Sequence, residues 1–256
     1  MNSTKRLTVF KKVQGAESFQ LYNVDDQTLL LSLPNFYQEN KDRIDGMLRF
    51  HKEKILKTPF LILDLRSNGG GSDRSWEGLI PFIYTNPIQE IGNDIWASKE
   101  MIKRYEHNFM FFKKFNAPQE LINEQLELID RMKKNQGKFV VRARDGFTKR
   151  SSVTENPKKI IVLMNEYCGS SCEQFLLAAR QSKKVILMGQ PSSGCLDYSN
   201  VFETKCPSPA FQFYYATTRS RRLPSYSVDK EGIKPTIYLQ YDQDWIKEAV
   251  AEFEKK

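Results

Sequence analysis

A chain of 256 residues that is 40% hydrophobic and 12% aromatic can bury a core, which excludes a disordered or fibrous polymer. Its formal charge of +8 is dispersed in pairs such as Lys11-Lys12, Lys133-Lys134 and Lys183-Lys184, without an aromatic-basic RNA signature or zinc-finger spacing; a solvated basic surface explains it better than nucleic-acid binding. Cys168, Cys172, Cys195 and Cys206 are too few for a disulfide scaffold at this length, and the two histidines, His51 and His107, stand in other contexts, so no metal site and no cofactor are expected.

Met1 to Arg6 is not followed by an apolar h-region, so no signal peptide is read there. No apolar run approaches the roughly 18 residues needed to cross a bilayer. From about Thr8 to Leu33 apolar and polar residues alternate, and Leu29–Leu33 predicts a buried strand ended by Pro34. Ile44, Met47, Leu48, His51 and Ile55 have helical spacing over about Asn40–Lys57, and Pro59 stops that helix. Phe60–Leu65 is a short apolar strand, followed by a glycine turn and a helix from about Ser75. The charged stretch from Trp96 to about residue 136 repeats with helical period, with Ile122, Leu126, Ile129 and Met132 on one face, and reads as a helical insertion or lid. Asp145-Gly146 predicts a hairpin between Phe139–Arg142 and Thr148–Val153. Strand Ile160–Asn165, helix Cys172–Gln181 and strand Lys184–Met188 resume the alternation. Strands at Ala210–Thr217 and Thr236–Leu239 and a charged C-terminal helix complete an α/β chain, expected to be one domain over residues 1–256.

Two turns carry the chemistry. Gly69-Gly70-Gly71 follows a buried strand, where glycine lets the backbone approach a ligand and offer N–H groups to an oxygen gaining negative charge. A plain tight turn uses the same residues, and no Gly-Lys-Ser/Thr follows to make a phosphate loop. Ser170 with Glu173 is a helix capping box, S-x-x-E, yet a hydroxyl at a sharp strand-to-helix turn is also placed to attack. Ser171 can cap while Ser170 attacks.

The order of motifs resembles the S41 serine peptidases, the C-terminal processing (tail-specific) and tricorn-like family. Asp64 to Gly71 matches a strand ending in Asp-x-Arg-x-Asn-Gly-Gly-Gly. Met164-Asn165-Glu166 and Ser170-Ser171-Cys172-Glu173 match the Val-Asn-Glu and Ser-x-Ser-Glu segments, with Cys172 replacing the second serine. Gly189–Gly194 matches a later Gly-x-x-Thr/Ser-x-Gly turn. Leu223-Pro224 with Asp229, Gly232, Ile233 and Pro235 matches the closing signature. The resemblance covers about Leu29 to Leu239. It implies a ClpP/crotonase-like ββα superhelix, Ser170 as nucleophile, and Gly70 or Gly71 with the Ser171 N–H as oxyanion donors. It also implies an extended peptide or protein substrate and Asp229 as the acid supporting a base. Trp76, Tyr198, Tyr214 and Tyr215 are candidates for substrate pockets or for ordinary core. Arg219, with Arg221 and Arg222, is a candidate for a peptide carboxylate or for a solvated loop. Members of the family are usually exported to the envelope.

The base is where the pattern fails. A serine hydroxyl needs one at neutral pH. The processing branch supplies a lysine 25 positions after the serine, and that position is Cys195. The tricorn-like branch uses an upstream histidine with no counterpart here. His51 reads as packing and His107 as a solvated face. The main expectation is a serine peptidase core that hydrolyses peptide bonds through an acyl-enzyme on Ser170, with a base from an upstream domain or partner chain; the alternative is a non-catalytic relative that binds extended peptides or another small ligand. A CoA-handling crotonase relative is a third, disfavoured by the match around Asp229.

Overall fold

The computed structural model describes residues 18–205, 208 and 210–255. The start at Met1–Arg6, the alternation over residues 8–17 and Cys206 lie outside them. In chain order the regular elements begin with β1 (Gln20–Asn23), β2 (Thr28–Ser32), α1 (Lys41–Phe50), α2 (Lys52–Lys57) and β3 (Phe60–Asp64). Next come α3 (Ile80–Ile83), β4 (Ile88–Glu90), β5 (Asn93–Trp96), α4 (Lys99–Lys114), α5 (Gln119–Lys134), β6 (Phe139–Ala143) and β7 (Gly146–Thr148). Then follow β8 (Lys159–Met164), α6 (Ser171–Ala179), β9 (Val185–Gly189), β10 (Tyr198–Lys205), β11 (Gln212–Ser220), β12 (Ile237–Tyr238) and α7 (Trp245–Glu254). The fold is mixed α/β in two compact units. One gathers the described residues up to Gln89, Phe147–Leu196 and those from Val228 onward; the other is Glu90–Gly146 with Asp197–Ser227.

The first unit is built on a sheet of order β1-β2-β3-β8-β9-β12, parallel from β2 to β12, with β1 antiparallel at the edge. Parallel strands are covered on both faces, which is why they read as unbroken apolar runs. Leu29, Leu31, Leu61, Leu63, Ile160 and Val162 pack with Ile44 and Leu48 of α1, Ile55 of α2 and Phe175 of α6. Their alternates, Leu30, Ile62, Ile161 and Leu163, pack with Trp245, Ala249 and Phe253 of α7. The helix expected over 40–57 breaks at His51, whose φ of -96° and ψ of 6° leave the helical basin. The helix expected from Ser75 is instead two 3-10 turns, Asp73–Ser75 and Glu77–Leu79, running into α3. Gly78 sits where a Cβ would lie 2.9 Å from Leu48 Cδ1, so this segment is fitted closely against α1.

The second unit pairs β10-β11-β5-β6 in an antiparallel sheet. Met101 and Ile102 of α4 and Leu128, Ile129 and Met132 of α5 cover it over Ile95 and Val140. Ser98 caps α4, its hydroxyl accepting the Met101 N–H at 3.1 Å. Of the helical face expected on α5, Ile122, Ile129 and Met132 are buried, while Leu126 is exposed and Leu128 packs in its place. The hairpin expected around Asp145-Gly146 does not form: β6 pairs with β5, and β7 pairs with β4. The Asp145 carboxylate accepts the Gly92 N–H at 2.9 Å, which ties the turn to the β4–β5 connection instead.

Candidate active site

β3 and β8 lie side by side in register, Leu63 opposite Val162 and Asp64 opposite Leu163, so their C-terminal ends release two turns into the same region. In parallel sheets that end is where ligands bind. The first turn starts from a buried ion pair. Arg66 Nε donates to Asp64 Oδ1 at 2.9 Å and Nη2 to Oδ2 at 2.7 Å. Burial pulls the guanidinium pKa down, but the hydrogen bonds and charge of Asp64 outweigh it, and the net shift is upward. The Asn165 side chain and one backbone bond join the two turns, and the Asn68 side chain ties the first of them to the end of β2. Ser67 N–H donates to Asn165 Oδ1 at 2.9 Å, Asn68 Nδ2 to the Leu33 carbonyl at 2.9 Å, and Gly169 N–H to the Asn68 carbonyl at 3.1 Å.

The glycine bend touches the serine turn directly. Gly70 has φ +95°, and a Cβ on it would lie 2.5 Å from the Gly169 carbonyl, 2.8 Å from Ser171 N and 3.0 Å from Ser170 Cβ. No side chain fits there, which is a physical reason for glycine. The Gly70 N–H donates to Asn68 Oδ1 at 3.0 Å, so this donor is already used inside the turn. Gly71 is exposed and forms a bridge with Phe36 through the Gly70 carbonyl and the Ser72 N–H, leaving its own N–H outside that bridge.

Ser170 has φ 54° and ψ -119°, on the left-handed side of the map for a residue with a Cβ. Such a conformation costs on the order of 1–3 kcal/mol and persists only where its surroundings impose it. Glu173 is the constraint. Fully buried, its carboxylate accepts Ser170 N–H at 3.0 Å, Ser192 Oγ at 2.6 Å, Gly194 N–H at 2.7 Å and Cys195 N–H at 3.0 Å. One side chain thus joins the start of α6 to the 192–195 turn. Ser171 is buried and donates its hydroxyl to Asp73 Oδ1 at 2.6 Å while accepting Trp76 Nε1 at 3.2 Å. Trp76 stands edge-on to Phe175, centroids 5.8 Å apart, inside the first unit's core. Asp229 accepts the Leu196 N–H at 2.8 Å. The sequence motif signalled Glu173 as a cap but not its role in the 192–195 turn, and Asp73 carried no signal.

Cys195, in the position of the family lysine, is beside Ser170. A Cβ on Gly169 would lie 3.0 Å from its sulfur, and Sγ donates to Glu173 Oε2 at 3.5 Å. Burial of the sulfur, then repulsion from the Glu173 charge, pushes the thiol pKa above its ordinary 9.0. A raised pKa means that the neutral thiol dominates at pH 7, so Cys195 is no base there. Carbamidomethylation of Cys195 by iodoacetamide, followed on its own tryptic peptide, is expected to be slow at neutral pH and to keep accelerating above the ordinary value of 9.0. Neutral-pH labelling as fast as a free cysteine would contradict that environment. Among the described residues no lysine or histidine hydrogen-bonds to Ser170. His51 packs edge-on to Phe50 at 4.8 Å, and His107 is exposed on α4 in the second unit.

The remaining candidates lie in the second unit. Tyr198 and Tyr214 are exposed. Arg219 stacks 4.1 Å over Phe139 and pairs with Asp94 at 3.4 Å. A cavity of about 560 Å³ in this unit is lined by Trp96, Phe139, Tyr198, Phe213 and Tyr215, with Glu100 among its polar residues; Tyr214 is not in its wall.

The model of peptidase family S41 matches residues 27–239. The chain belongs to peptidase family S41. Mature CPAF is similar to this S41 chain with TM-score 0.64 at 13% identity, over 89% of this chain and 50% of that one. Mature CPAF complexed with lactacystin gives 0.65 at 12% identity, over 94% and 55%. A lipoprotein from Streptococcus agalactiae gives 0.51 at 15% identity, over 96% of this chain and 73% of that one. At such identities the likeness speaks for the fold alone. The S41 chain spans about half the length of mature CPAF. No protein with a curated description matches its sequence. Among the described residues no group of three or more His, Cys, Asp or Glu side chains could hold a metal ion, and no helix is long and apolar enough to cross a membrane.

Proposed function

We propose that this S41 chain binds extended peptides and that its peptidase-type serine, Ser170, lacks a base among the described residues. The observation that carries the reading is Cys195: a protonated thiol, rather than an amine, lies beside Ser170. β10 is an edge strand of the second unit's sheet, and an edge offers backbone groups to an added strand. Tyr198 of β10 lines the aromatic cavity, which has the volume for side chains of such a peptide. Arg219 stands on the neighbouring strand as a candidate for a carboxylate. The resemblance implies a ClpP/crotonase-like ββα superhelix; the structure itself is a mixed α/β fold in which the parallel pairs β2–β3 and β8–β9 are each joined through helical segments.

The strained Ser170 favours a second reading, hydrolysis of a peptide bond through an acyl-enzyme. There the Gly71 and Ser171 N–H groups would face the oxyanion, and Asp229 would orient a histidine supplied by another segment or chain. One experiment separates the two. A fluorescent peptide library is tested for binding and cleavage, and the protein is treated with a serine-reactive phosphonate beside Ser170→Ala. Binding without cleavage, and no Ser170 labelling, is the expected result. Labelling that disappears in Ser170→Ala, with turnover of bound peptide, would replace the first reading by the second.

A further inference from the structure

The end of α4 carries a chemistry that peptide binding does not use. Residues 107–119 contain Phe109, Phe111, Phe112, Phe115, Met110, Lys113 and Lys114 and no acidic residue; the first on the returning helix is Glu120. The early part of α4 is covered: Met101 and Ile102 are core, with Tyr105 and Phe109 packed against them. Beyond Phe109 the cover ends. Met110 is 63% exposed, Phe111 54% and Phe115 62%. Phe111 and Phe115 are one helical turn apart, and their rings meet with centroids 4.5 Å apart, so the exposed rings form one continuous ridge.

The charges beside the ridge are uncompensated. Neither Lys113 nor Lys114 has an ion pair among the described residues; their ammonium groups stand 5.5 Å from the Phe109 ring and 5.8 Å from the Phe115 ring. Two lysines in the last turn offset the carbonyl end of the helix dipole, which accounts for the charges but not for the exposed rings.

We propose that this tip docks on an anionic lipid surface. Met110, Phe111 and Phe115 enter the boundary between headgroups and acyl chains. Lys113 and Lys114 extend their stems along the rings and keep their charges among the phosphate and carboxylate headgroups. A closed protein interface would strip water from both unpaired ammonium groups as it buried the rings, at a large desolvation cost. A headgroup layer buries the rings and leaves the ammonium groups hydrated, next to opposite charge.

Co-sedimentation of the full chain with lipid vesicles tests this. Binding is expected to phosphatidylserine-containing phosphatidylcholine vesicles at low salt. It should weaken at least tenfold on pure phosphatidylcholine or at high salt. The paired substitutions Phe111→Ser with Phe115→Ser, and Lys113→Glu with Lys114→Glu, should each weaken it at least tenfold with the circular dichroism spectrum unchanged. Lys113→Gln with Lys114→Gln serves the same purpose should the charge reversal disturb folding. No sedimentation with the anionic vesicles, or equal sedimentation of the variants, would overturn the proposal. So would a concentration-dependent dimer that the Phe111→Ser/Phe115→Ser variant abolishes while vesicle binding persists, which would assign the ridge to a second copy of the chain.

Discussion

Cys195→Lys is expected to raise phosphonate labelling of Ser170 by roughly a hundredfold or more, the lower range of what a positioned general base contributes. The geometry supplies the reason. The backbone of residue 195 is held by Glu173, which also holds the Ser170 N–H, so the two residues are fixed through one carboxylate. The Cys195 sulfur already lies against Gly169, immediately before Ser170. A longer side chain from the same Cα has room, because Cys195 is exposed as a residue. The Glu173 charge would favour the protonated amine, but its oxygens are already engaged by four N–H and O–H donors. Desolvation against the turn pushes the amine the other way, toward the neutral form a base needs. The comparison is made on native protein, Cys195→Lys, and Cys195→Lys with Ser170→Ala. Equal, negligible labelling of all three would mean that Ser170 is not presented as a nucleophile, whatever stands at 195.

Asp64→Ala is expected to destabilise the chain by about 3–5 kcal/mol, because it leaves a buried guanidinium without its partner. Arg66 is only 7% exposed; its Cζ stands 5.6 Å from the centroid of the Trp245 ring, and Tyr22 and Asp244 act on it electrostatically. Against the roughly 5–15 kcal/mol that holds a typical domain together, such a loss is decisive. In urea the midpoint should fall while the slope stays the same. Replacing both partners, Asp64→Leu with Arg66→Met, should recover much of the loss, since no charge is then buried alone. A midpoint close to the native one for Asp64→Ala would show that water reaches Arg66 and that the pair is not what anchors the glycine turn.

The two turns illustrate how far local sequence reaches. Leu29–Leu31, Leu61–Leu63 and Ile160–Met164 were legible as strands because a parallel sheet covered on both faces permits no polar alternation. The glycine triplet and the serine before an apolar helix were legible as turns for the same local reason. The contact between them was not: Gly70 meets Gly169 and Ser170 across 100 residues, and only the β3–β8 pairing puts the turns together. The same is true of Asp145-Gly146. Its dipeptide signals a tight hairpin, but a carboxylate bond to Gly92 and the β5–β6 pairing override it.

The chain's own residues determined its α/β alternation, its S41 motifs and the absence of a lysine at 195, because periodicity and identity are properties of the primary structure. Tertiary structure alone decided that Ser170 is held at φ 54°, that Glu173 clamps the 192–195 turn, and that the Cys195 thiol stands beside the serine with a raised pKa. Strain and desolvation depend on which atoms surround a group, and those neighbours come from distant parts of the chain.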